Sequence, residues 1–145
     1  MYLLDTNIVS ELRKRDRANP GVTQFFRQLI EQNASAYISV ITIGELRRGV
    51  DLIRYRGDLT QASLLESWLQ TLLNDYADNI LDFGKDEAQV WGRLRVPHPE
   101  NAIDKQLAAT ALVYDLTLVT RNVQDFTATG VNICNPWVRR TGCKC

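Results

Sequence analysis

The chain has 145 residues, room for one hydrophobic core, since single domains usually close at about 100–200 residues. With 45% hydrophobic and 23% charged residues it carries too much apolar surface for a disordered chain. Seventeen basic residues against seventeen acidic ones leave a formal charge of zero, so no global field draws it onto nucleic acid or a membrane, and a polyanionic partner has to be held locally.

Residues 1–15 lack the apolar stretch of a secretory signal, and no apolar run approaches the roughly 18 residues that span a bilayer. The chain reads as cytoplasmic, with no membrane association. Cys134, Cys143 and Cys145 fall in the last twelve residues, too clustered to staple a whole fold; they read as reduced thiols. A single histidine, His98, excludes zinc sites built on two or three imidazoles. Hydrolytic chemistry here has to rest on carboxylates.

In chain order, Tyr2-Leu3-Leu4 reads as a short strand that runs through Asp5-Thr6-Asn7 into a helix carrying Ile8, Val9 and Leu12. After Asn19-Pro20-Gly21, the residues Val22, Phe25, Phe26, Leu29 and Ile30 follow the stripe of an amphipathic helix. Residues 36–40 form a second strand, and Thr42-x-x-Glu45 opens the next helix with capping-box spacing. A long stripe from Leu64 to Tyr76 predicts a helix starting near Asp58. Residues 79–83 make a third strand, and a helix from Lys85 to Val96 stops at Pro97-His98-Pro99. An alanine-rich helix begins anew at Asn101, followed by a strand over 117–120, one turn over 122–126 and a last strand over 131–134. Strands alternating with helices predict an α/β fold with a mainly parallel sheet between two helical layers. Residues 1–138 read as one domain and 139–145 as a loose C-terminal tail.

Ligands of an open parallel sheet bind beyond the carboxyl ends of its strands. Four acids follow strands or open helices at that edge: Asp5, Glu45, Asp104 and Asp125. Three have a capping-type residue three positions earlier, namely Thr42, Asn101 and Asn122, so each taken singly also reads as a helix-start acid, worth about 0.3–1 kcal/mol. Together they say more, because two carboxylates about 5 Å apart repel by roughly 3 kcal/mol at an effective dielectric near 20. A cluster of this kind calls for a cation, and oxygen-only ligation suits Mg²⁺, with Mn²⁺ as a substitute. Such an ion activates water and neutralises a phosphodiester, which points to phosphoryl-transfer hydrolysis. A basic rim is available in Arg13, Lys14, Arg15 and Arg17, in Arg47 and Arg48, and in Arg121. Aspartyl phosphotransfer lacks a second aspartate two residues after Asp5, where Asn7 stands, and nucleotide hydrolysis lacks a glycine-rich loop.

Leu4-Asp5-Thr6-Asn7, Thr42 to Gly49, Asp104 to Ala111 and Leu118 to Phe126 resemble, in order and at matching intervals, the blocks of PIN-domain ribonucleases. Asn135-Pro136-Trp137 resembles the branch holding the VapC and FitB toxins of bacterial toxin–antitoxin pairs. The resemblance implies a Mg²⁺-dependent endoribonuclease, often acting on tRNA or another structured RNA, held in check by a cognate antitoxin. It also implies a homodimer that reaches operator DNA through the antitoxin. Asp5, Glu45, Asp104 and Asp125 would then be catalytic and metal-binding, with Thr6, Thr120 and Asn122 orienting them, Asn7 capping the first helix, and Arg121, with Arg47 and Arg48, facing substrate. The alternative is a catalytically silent PIN-like module that acts with an antitoxin on operator DNA. Two departures stand beside the third acid: Pro97-His98-Pro99-Glu100-Asn101 where relatives commonly carry glycine, and Lys105 directly after Asp104.

Overall fold

The computed structural model describes residues 1–138; the expected tail, with Cys143 and Cys145, lies outside the described residues. Five strands, β1 (Tyr2–Leu4), β2 (Ala36–Ser39), β3 (Ile80–Leu81), β4 (Thr117–Val119) and β5 (Ile133–Cys134), form one sheet in the order β3-β2-β1-β4-β5. Every neighbouring pair is parallel. The strands are short apolar runs because both sheet faces are covered. Successive β1 residues show this: Tyr2 and Leu4 enter a core with Ile8, Phe25, Leu46 and Leu69, whereas Leu3 enters another with Leu107, Ala108 and Phe126. In β4, Leu118 and Val119 divide the same way. Helices therefore lie on both sides, as the alternating sequence pattern requires.

The helices are α1 (Thr6–Leu12), α2 (Pro20–Glu31), α3 (Val40–Tyr55), α4 (Leu59–Asp75), α5 (Lys85–Leu94) and α6 (Ala102–Val113). Three 3-10 turns, Arg15–Arg17, Ala77–Asn79 and Val123–Thr129, complete the described chain. Asn19 caps α2 by accepting the Gly21 N–H at 2.9 Å, and Asp58 caps α4 by accepting the Gln61 N–H at 3.1 Å. At Gly21 the first turn of α2 lies so near the C-terminal segment that a Cβ would collide with the Pro136 carbonyl oxygen. The apolar stripes are narrower than their periodicity suggests, since Ile30 is 82% and Leu64 63% exposed. Trp91 donates its indole N–H to the Ala102 carbonyl at 2.9 Å, tying α5 to α6.

Two local expectations change. Helix α3 starts at Val40 and is capped by Ser39, whose hydroxyl accepts the Ile41 N–H at 3.0 Å. Thr42 is therefore inside the helix, fully buried, with its hydroxyl unpartnered, and it does not form a capping box with Glu45. The strand-end serine takes the cap directly after the last buried apolar residue of β2, Ile38, so the helix begins early. At the other end of the chain, buried Cys134 is disulfide-bonded rather than a reduced thiol.

Candidate active site at the carboxyl edge of the sheet

Strand order reverses around β1: the chain moves outward to β2 and β3, then returns to β4 on the other side. The crevice between β1 and β4 is thus the switch point where open parallel sheets bind ligands. Asp5 stands there, one residue beyond β1, with its N–H bonded to the Val119 carbonyl of β4 at 3.0 Å. Only 5% exposed, its carboxylate is held on both oxygens. Oδ1 accepts the Thr6 N–H at 2.7 Å, and Oδ2 accepts the Thr120 hydroxyl at 2.8 Å and the Asn7 amide at 3.2 Å. Asp5 itself is the N-cap of α1.

Asn7 is consequently not the cap. The extended backbone of Asp5 puts the aspartate oxygen at the first free N–H, and Asn7 lies two residues on, in the first turn, where it stitches β1 to β4. Its amide nitrogen also reaches the Thr120 hydroxyl at 3.3 Å, and its oxygen accepts the Arg121 N–H at 3.3 Å. Asn122 joins through its backbone, donating its N–H to the Thr120 hydroxyl at 3.0 Å; its side chain makes no capping bond. Thr6 likewise acts on Asp5 through its N–H.

Asp104 sits in the first turn of α6, and Asp125 in the first turn of the 3-10 segment after β4. Glu45, with α3 beginning early, falls in the second turn of that helix rather than the first. Asn101, left-handed at φ 55°, gives no side-chain cap to α6. None of Thr42, Asn101 and Asn122 thus provides the capping bond that would make its acid a routine helix-start residue.

The electrostatics show that the acids share one region. Burial raises the Asp104 pKa to about 6, and the charges of Asp5, Asp125 and Glu45 push the same way. The Asp5 carboxyl is raised by burial in spite of bonds from Thr120, Thr6 and Asn7 that lower it, and Asp125 adds to the rise. Asp104 thus feels the other three carboxylates, and Asp5 feels Asp125. They act as charges without being drawn together: among the described residues, no group of three or more His, Cys, Asp or Glu side chains is arranged to hold an ion as it stands. The donor set is nevertheless of the hard-oxygen kind that Mg²⁺ and Mn²⁺ take.

The arginines divide. Arg47 is turned to α4, where its guanidinium grips both oxygens of Glu66 at 2.7 and 2.8 Å, so it is not brought to the acids. Arg48 is exposed. Arg121 follows β4 directly, with its guanidinium 5.6 Å from the centre of the Trp137 ring. Lys105 donates to the His98 carbonyl and so braces the loop before α6. Glu11, interleaved in sequence with the basic run, pairs with Lys14 at 2.9 Å, as their i,i+3 spacing allows, and accepts the Asn19 N–H at 2.9 Å.

The PIN domain family matches this parallel α/β/α chain over residues 2–131, and the chain belongs to that family. It is 35% identical to the toxin FitB of Neisseria gonorrhoeae over 142 residues, covering 94% of this chain and 99% of FitB. It is 31% identical to the VapC ribonuclease Y4jK of Sinorhizobium fredii, over 94% and 98% of the two chains. Among solved structures, that of FitAcB from Neisseria gonorrhoeae superposes with a TM-score of 0.80 at 35% identity, covering 94% of this chain and 99% of that one. The structure of FitAB bound to an IR36 DNA fragment gives 0.77 at 33% identity, over 95% and 96%.

Proposed function

We propose that this protein is the endoribonuclease toxin of a toxin–antitoxin pair, hydrolysing RNA phosphodiesters with Mg²⁺ or Mn²⁺ held by Asp5, Glu45, Asp104 and Asp125. The observation that carries this reading is Asp5, buried one residue beyond β1 and held on both oxygens by Thr6, Thr120 and Asn7, with Asp104 near enough to feel its charge and those of Asp125 and Glu45. When bound, the divalent ion supplies neutralising charge for the phosphodiester and acidifies water. The chain's own residues prepare the edge for it. Thr120, Thr6 and Asn7 fix the Asp5 carboxylate in one orientation, so it need not reorganise when substrate arrives. Arg121 and Arg48 supply charge for the phosphate backbone.

The relatives' names support the same conclusion: one is a toxin, another a VapC ribonuclease. The FitAB complex with DNA supports an antitoxin partner through which this chain reaches its operator. A homodimer and a cytoplasmic site of action, on tRNA or another structured RNA, belong to this reading; no helix among the described residues is long and apolar enough to cross a membrane. The test is cleavage of RNA by the purified protein with Mg²⁺ and with excess EDTA. Cleavage that needs the ion and disappears in Asp5→Asn is expected. Equal cleavage in EDTA, or full activity in Asp5→Asn, removes the metal mechanism; no cleavage under any condition favours a silent partner of the antitoxin.

A further inference from the structure

Helix α1 ends at Leu12, and the chain then turns through Arg15, held at a left-handed φ of 52°, into the 3-10 turn Arg15–Arg17. The turn leaves Arg13, Lys14 and Arg17, all exposed, lining one open cleft of about 280 Å³. Glu11 is committed to Lys14 and to the Asn19 N–H. Asp16 is in the same turn, yet no ion pair among the described residues engages Arg13 or Arg17. The two guanidinium groups keep their donors available, and planar forks of this kind match the oxygens of a phosphodiester.

The cleft is tied to the acidic edge by α1, whose other end is Asp5. Seven helical residues span about 10 Å. Arg121 stands beside this helix: its backbone N–H meets the Asn7 side chain at 3.3 Å, its charge bears on Glu11 and its guanidinium faces Trp137. One further cation thus accompanies α1 between the acidic edge and the cleft. We propose that the Arg13, Lys14 and Arg17 cleft binds the phosphate backbone of the RNA segment adjoining the bond held at the carboxylates. The assignment of that segment rests on the ribonuclease reading of the edge. An acidic protein segment is the other polyanion with matching charge, but only a nucleic acid continues from this cleft to a phosphodiester at the acids.

The test measures binding rather than cleavage. A labelled single-stranded RNA is titrated with the full-length protein in EDTA across a salt series, using the wild type, Arg13→Gln/Arg17→Gln, and a charge-matched control, Arg27→Gln/Arg56→Gln. The cleft variant is expected to weaken binding roughly tenfold and to flatten the dependence of log Kd on log salt by about 1.4, two phosphate contacts at about 0.7 each. The control should keep the wild-type slope, and all three proteins should melt alike. Equal slopes for wild type and cleft variant overturn the proposal. So does a cleft variant that keeps RNA but loses a short polyglutamate peptide, which would assign the cleft to a protein partner. A flattened slope from a protein that cleaves nothing with Mg²⁺ leaves the cleft standing as an RNA site and removes only the ribonuclease reading.

Discussion

Glu66 on α4 and Asp104 on α6 are both half-buried helical carboxylates, and their surroundings set them in opposite states. Glu66 is gripped by Arg47, with Arg54 near and the Gln70 amide donating, and its pKa is pulled down to about 2. Asp104 has burial and three like charges, and is pushed up to about 6. The α3–α4 hairpin has settled its charge within the chain, whereas Asp104 at the carboxyl edge of the sheet meets burial and like charge. Counting acids does not separate the two regions; the presence of a cation partner does.

The largest effect that sharpens this contrast is expected at Asp5. Asp5→Asn keeps the shape and the Thr6 N–H bond but removes a charge from the edge, so Mg²⁺-dependent RNA cleavage should fall on the order of a thousandfold, measured in single turnover, while a cooperative melt shows that the fold is kept. Thr120→Val comes next. It removes a donor from Asp5 and an acceptor from the Asn122 N–H and the Asn7 amide, and a tenfold to hundredfold loss of metal affinity is the usual scale for such support. Thr120→Ser should restore it.

Acid is expected to act in opposite directions on the two regions. The folded Asp104 pKa lies above its unfolded value of 3.8, so in metal-free protein this group contributes most stability below pH 3.8 and loses it as pH rises through about 6. Protons and metal compete for the same oxygens, so Mg²⁺ affinity should fall by roughly tenfold per pH unit below about 6, read by calorimetry at several pH values. The folded Glu66 pKa is depressed, so its contribution is present above 4.5 and disappears only as pH falls through about 2. The smallest effect belongs to Glu66→Gln. This pair, open to solvent on one side, carries little stability, and cleavage by the variant should match wild type; a large loss would mean that the hairpin charges serve the edge after all.

Much of this was readable in the residues. Alternating short apolar strands and striped helices specify a two-sided parallel sheet, and its strand ends, with the start of the alanine-rich helix, mark Asp5, Glu45, Asp125 and Asp104 as candidates without coordinates. Local chemistry was harder. Thr42 and Ser39 both suit a cap, and the choice falls to the end of β2, so Glu45 moves one turn on. Asn7 looks like a helix-start residue because its bonds to Thr120 and Arg121 cross 113 and 114 residues of chain, a distance that no spacing pattern reports. Arg47, adjacent to Arg48 in sequence, faces the other way because Glu66 waits on α4. Ile30 continues a helical stripe beyond the edge of the core and finds only solvent.

The central claim is that the edge is an uncompensated anionic cluster awaiting a divalent cation. It is tested most directly by following the Asp104 carboxyl through a pH titration by carbon NMR, without and with Mg²⁺. The account predicts a midpoint near 6 in metal-free protein that drops below the ordinary aspartate range once Mg²⁺ is added. A midpoint that starts in the ordinary range, and that Mg²⁺ leaves where it was, would contradict it.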